Sequence, residues 1–86
     1  MKIFFYMGRN DRNVSGVSWK VWKIERKGKH LQTWWGAAEV IRRKVVPKFA
    51  LQTWTSTYGS DSAAREDEDR RIREKRKEGY ERKPRV

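Results

Sequence analysis

Apolar and polar side chains alternate with a period of two through the first two thirds of the chain. A charged stretch of different rhythm follows. In residues 2–7, Ile3, Phe5 and Met7 fall on one face and Phe4 and Tyr6 on the other, which is the spacing of a β-strand. Residues 17–26 repeat the pattern, with Val17, Trp19 and Val21 alternating with Ser18, Lys20, Trp22 and Ile24. Lys27-Gly28-Lys29 reads as a hairpin turn, glycine supplying the unusual backbone angle. Residues 30–35 then form a third strand, antiparallel to the second. Leu31, Thr33 and Trp35 share one of its faces, and His30, Gln32 and Trp34 share the other. Residues 48–57, with Phe49, Leu51 and Trp54, read as a fourth strand.

Two stretches break the alternation. Residues 8–16 form a loop by composition, and Arg9 and Arg12 lie in it. In residues 37–47, Val40-Ile41 and Val45-Val46 flank the run Arg42-Arg43-Lys44. A long basic loop or an irregular hairpin is expected there. Pro47, which lacks an N–H, argues against a central strand at that point.

The last third predicts one helix over residues 62–78, capped by Ser60, Asp61 or Ser62. Glu66, Asp67, Glu68 and Asp69 occupy its first half, and Arg70, Arg71, Arg73, Lys75, Arg76 and Lys77 its second. That polarity complements the helix dipole. Glu66–Arg70, Asp67–Arg71 and Asp69–Arg73 are spaced as i,i+4 pairs. Gly79 marks the stop, with Tyr80 placed to fold back on the last turn. The apolar stripe is thin, consisting of Ala63, Ala64 and Ile72, so a narrow dock on the sheet is expected. The fold class is therefore α+β: a twisted antiparallel sheet of about four or more strands with one long C-terminal helix packed across it. Residues 1–80 form a single domain, and residues 81–86 are expected to fray.

Composition adds function to this outline. The chain has 86 residues, no cysteine and five tryptophans. A domain of this size buries only about 60% of its unfolded surface, and large aromatics must supply much of the core. The lack of cysteine agrees with a reducing compartment. No window approaches a membrane span, and the short apolar run at the start lacks a signal-peptide core. A cytoplasmic protein with no membrane partner is expected.

The net charge is +11. Residues 1–59 hold 12 basic and 3 acidic side chains, net +9, whereas residues 60–86 hold 10 and 8, net +2. The excess thus sits on the aromatic part, which suits a polyanion such as nucleic acid. Arg42, Arg43 and Lys44 are the first candidates for phosphate, followed by Lys20, Lys23, Arg26, Lys27 and Lys29 around the aromatic hairpin.

Trp34-Trp35-Gly36 sets two aromatics beside a glycine, the mark of a strand end where the backbone approaches something closely. An aromatic on a basic surface can stack on a base for about 1–3 kcal/mol. A regular strand points Trp34 and Trp35 to opposite faces, so one of them is expected in the core and the other, partly exposed, is a stacking candidate. His30 has no metal-ligating company, and four consecutive helical acids point around the helix rather than together. No metal site, cofactor or catalytic set is expected.

Three segments together resemble the WGR module, named for Trp-Gly-Arg and found in poly(ADP-ribose) polymerases and in small bacterial proteins. Trp19-Lys20-Val21-Trp22-Lys23-Ile24-Glu25 is similar to its aromatic strand. Trp35-Gly36 is similar to its name motif, and Ile72-Arg73-Glu74-Lys75-Arg76-Lys77-Glu78-Gly79-Tyr80 to its helix end. Ala37 stands where the motif has arginine, so that arginine's role is not carried over. The resemblance implies a twisted antiparallel sheet crossed by a helix. It also implies DNA binding, with Trp35 stacking on sugar or base at a DNA end.

The expected function is a non-enzymatic nucleic-acid-binding module of low sequence specificity, for DNA more than RNA. The alternative is an interaction module for an acidic protein partner, or a homodimer.

Overall fold

The computed structural model describes residues 1–9 and 16–84. Most of the first loop, Arg12 included, lies outside the described residues. Among these the chain forms an antiparallel sheet of five strands with one helix across it, the α+β arrangement expected. The strands are β1 (Lys2–Arg9), β2 (Val17–Lys27), β3 (His30–Ile41), β4 (Lys44–Pro47) and β5 (Gln52–Thr57), and the helix α1 spans Asp61–Glu78.

Strands β1, β2 and β3 follow the alternation of the sequence. Phe4 faces Trp22, and Trp22 faces Trp35 on the next strand. Paired residues share a face, so Phe4, Trp22, Ile24, Leu31, Thr33 and Trp35 all look toward the helix. The β2–β3 turn closes between Lys27 and His30, with Gly28 at φ 58 in its first central position. Glycine is favoured there in two-residue turns.

The region after Gly36 differs from expectation. β3 does not end there but runs on to Ile41 and returns at once as β4, pairing Ile41 with Lys44. The stretch expected to be a long basic loop or an irregular hairpin is a tight two-residue hairpin. Its turn residues Arg42 and Arg43 both have positive φ, 52 and 66. Such a turn ordinarily calls for Asn-Gly, and two arginines carry no signal for it.

The single fourth strand expected over residues 48–57 is instead two short strands on the same edge of β3. β4 pairs with residues 38–41 of β3, and β5 pairs with residues 30–35. Pro47 ends β4 because it has no N–H to donate, and the Lys48 N–H still donates to the Ala37 carbonyl at 2.9 Å. Leu51 then turns over Gly36, where an added Cβ would meet its Cδ2 at 3.0 Å. That is the close approach the Trp-Trp-Gly pattern suggested.

The core lies between the sheet and α1. Phe4, Trp22, Ile24 and Leu31 are buried, with Tyr58, Ile72 and Tyr80 packed against them. The Phe4 and Trp22 rings meet at 5.4 Å, tilted. Burying side chains of this kind stabilises by roughly 1.5–3 kcal/mol each. The helix contributes the buried Ala64 and the half-buried Ile72, the narrow dock its thin stripe predicts. Ser60 caps its start by accepting from the Ala63 N–H at 3.1 Å. Gly79 closes it in the left-handed region at φ 108.

Beyond the helix, the chain returns to the sheet at Glu81. Its backbone pairs with Phe5 on the outer edge of β1 through two hydrogen bonds of 2.7 and 2.8 Å. Arg82 lies 5.3 Å above the Phe4 ring. No helix among the described residues is long and apolar enough to cross a membrane.

Candidate functional site

Where α1 passes the far side of the sheet it leaves an open cleft of about 460 Å³. Trp22, Thr33, Trp35 and Trp54 line its sheet wall, and Arg70, Arg71, Glu74 and Lys75 line its helix wall. The convergence follows from register. Trp22 pairs with Trp35 across β2 and β3, and Thr33 pairs with Trp54 across β3 and β5. Three tryptophans distant in sequence thereby reach one face. Trp22 is only 4% exposed and acts as the floor. Trp35 is 36% exposed and Trp54 63%, so both rings offer apolar surface to a ligand.

The helix wall carries three cations against one acid, net +2. Asp67, just outside the cleft, holds the two arginines. Arg71 Nε donates to Asp67 Oδ2 at 3.0 Å, and Arg70 Nε donates to Asp67 Oδ1 at 2.9 Å. Tyr58 donates its hydroxyl hydrogen to Asp67 Oδ2, and Arg70 also reaches Glu74 at 2.8 Å. Of the three i,i+4 pairs expected, Asp67–Arg71 forms. Arg70 takes Asp67 and Glu74 rather than Glu66. The physical reason is orientation: Asp67 is half-buried and anchored by Tyr58, whereas Glu66 is exposed. Among the described residues no ion pair joins Asp69 to Arg73.

Lys75 lies 5.8 Å above the Trp22 ring and 5.1 Å above Tyr80, an arrangement that holds a cation on aromatic faces.

Burial works to raise the Asp67 carboxyl. The hydrogen bonds from Tyr58 and Arg70, with the charge of Arg71, outweigh it, and the group sits below its ordinary value of 3.8. A depressed carboxyl contributes stability that is fully present above the unfolded value and lost as pH falls through the folded one. Asp67→Asn should therefore lose about 1–2 kcal/mol of stability at neutral pH. It should also lose that part of the acid sensitivity below pH 3.8 which Asp67 confers on the wild type. Thermal melts of both proteins across the acid range read this directly.

The site residues expected from sequence are distributed over the molecule. Trp35 is in the cleft. Trp34 points to the opposite face, half-buried, with Lys23 and Thr53 directly across from it. Gly36 lies under Leu51 on that opposite face. Lys20 stands on the helix face near Tyr6, Glu78 and Tyr80. Lys27 and Lys29 flank the exposed β2–β3 turn. Arg42, Arg43 and Lys44 are exposed at the tip of the β3–β4 hairpin. The structure thus brings Trp35 together with Trp54, Arg70, Arg71 and Lys75, and separates it from the other expected residues.

Compared with protein-family models, curated proteins and solved structures, the chain has no match. The reading of the site therefore rests on its own geometry. Among the described residues no group of three or more His, Cys, Asp or Glu is placed to hold a metal ion. His30 Nδ1 instead lies 3.0 Å from the Thr57 hydroxyl on the exposed end of the sheet.

Proposed function

We propose that the protein is a small non-enzymatic nucleic-acid-binding module, for DNA more than RNA and with low sequence specificity. The observation that carries this reading is the cleft. Two partly exposed tryptophans face three cations across an opening of about 460 Å³, within the size range of small-ligand sites. A base stacked on Trp35 or Trp54 would bring its phosphate to the Arg70, Arg71 and Lys75 wall. These arginines are already paired with Asp67 and Glu74, so a phosphate would compete with carboxylates and bind more weakly than at free cations. The net charge of +11 supplies long-range attraction.

The resemblance to the WGR module supports the same reading. The antiparallel sheet crossed by a C-terminal helix is the arrangement that resemblance implies, and Trp35 is the position it assigns to stacking.

Titration of labelled DNA at increasing salt tests the proposal. Log affinity should fall linearly with log salt, at a slope of about −0.9 for each phosphate neutralised. Binding that is absent at low salt would remove nucleic acid from consideration.

One observation favours a protein partner instead. Residues 49–60 carry no charge in a chain that is 38% charged. They include the edge strand β5, where natural proteins commonly place charges to block strand addition, and the exposed Phe49 and Trp54. A salt-sensitive complex with an acidic protein, together with no affinity for DNA, would favour that reading.

A further inference from the structure

The β3–β4 hairpin is built against the preference of its own turn. Both central residues lie in the left-handed region, Arg42 at φ 52 and Arg43 at φ 66. Each non-glycine residue there costs on the order of 1 kcal/mol, and Asn-Gly would form the same turn without that cost. Strain retained at a surface turn is a reason to look for a role.

The charges at the tip differ from those in the cleft. Arg70, Arg71 and Lys75 all have carboxylate partners. Arg42, Arg43 and Lys44 are exposed and take part in none of the ion pairs or side-chain hydrogen bonds of the described residues. Glu39 is the one acid on the two strands of the hairpin.

The shape is equally specific. The β2–β3 ladder stops at Trp19–Ala38, while Glu39–Val46, Val40–Val45 and Ile41–Lys44 continue the β3–β4 ladder, with β2 running on beside them as Ser18 and Val17, paired to β1. Three pairs at about 3.3 Å per residue carry the tip about 10 Å beyond the Trp19–Ala38 pair. Val40 and Ile41 on this ribbon are 41% and 49% exposed.

We infer that this ribbon is an arm that enters the major groove of duplex DNA. The inference rests on the nucleic-acid reading above and adds the form of the ligand. The groove of B-DNA is about 12 Å wide and about 8.5 Å deep and admits a two-stranded ribbon. The ribbon has the reach to fill it, and Arg42 and Arg43 project from the leading end toward phosphates and guanine edges. The major groove of an RNA duplex is too narrow for side chains to read. The arm is distinct from the cleft. Six residue steps along β3 separate Trp35 from Ile41, about 20 Å, or roughly six base steps at about 3.4 Å each.

The test is the double variant Arg42→Asn, Arg43→Gly, compared with wild type and with Arg42→Lys, Arg43→Lys. Binding is measured by fluorescence anisotropy on a DNA duplex of about 16 base pairs, the matching RNA duplex and single-stranded DNA, alongside thermal melts. The Asn-Gly protein should melt higher, because the turn strain is relieved. It should bind the DNA duplex roughly tenfold more weakly, with a salt slope shallower by about 2, and bind single strands as wild type does. The Lys-Lys protein should keep the wild-type slope.

Unchanged DNA-duplex affinity in the Asn-Gly protein overturns the arm while leaving the nucleic-acid reading intact. So does an equal loss on all three ligands, or equal wild-type affinity for the RNA duplex. No wild-type binding to any of the three overturns both.

Discussion

Trp35→Ala should weaken DNA binding roughly 5- to 150-fold, the worth of one base stacked on an aromatic ring, and leave the fold in place. The two halves of this expectation come from one geometry. Trp35 is 36% exposed and lines the open cleft, so about a third of its surface lies outside the packing that folding requires. The residues beneath and beside it, Trp22 and Thr33, are held by β2 and by the pairing of β3 with its neighbours. Anisotropy measured on the same DNA for both proteins, with circular dichroism melts as the control, separates affinity from stability. A large fall in melting temperature would make Trp35 a structural residue and remove it from the ligand site.

Trp22→Ala should do the reverse. Trp22 is 4% exposed, packs on Phe4 at 5.4 Å and lies beneath Lys75. Truncating a buried tryptophan costs about 3–5 kcal/mol, and small domains have only about 5–15 kcal/mol in total. The chain has no disulfide to compensate. The variant should be largely unfolded or melt far lower under conditions where wild type is folded, as circular dichroism would show. A wild-type melting curve would mean that the core lies elsewhere. Two tryptophans that face each other across adjacent strands are thus expected to fail in opposite ways.

The parts of the fold legible in the sequence are those set by local patterns. Period-two alternation is enough for β1, β2 and the start of β3, because one face of each packs against a neighbour. Ser60, the acid-then-base order and Gly79 are enough for α1, because end effects and the helix dipole act within a turn or two. A hairpin around residues 42–44 is one of the two expectations that Val40-Ile41 and Val45-Val46 raise, but its tight two-residue turn is not legible, since Arg42 and Arg43 adopt angles that ordinarily call for Asn-Gly. The split between β4 and β5 depends on the missing N–H of Pro47 and on Leu51 reaching over Gly36, a contact outside any strand pattern.

Much the same holds for the candidate site. Trp35 was visible because Trp34-Trp35-Gly36 is unusual in itself. Trp54 was placed on a strand, but its position beside Trp35 needs the register of β3 with β5, and no single-chain pattern encodes a register. Arg70, Arg71 and Lys75 carry little signal by charge counting, because the acids of the same helix offset them. The tertiary contact of Tyr58 with Asp67 is what turns two of them toward the cleft.

The most direct test of the cleft as the ligand site is an NMR titration with a short blunt duplex, at low and at physiological salt, following the five indole N–H signals. The account predicts that the Trp35 and Trp54 signals shift most, along with the backbone amides of Arg70, Arg71 and Lys75. These shifts should diminish as salt rises. Shifts confined to the amides of the lysine-bearing turns, with Trp35 and Trp54 unmoved at low salt, would contradict it.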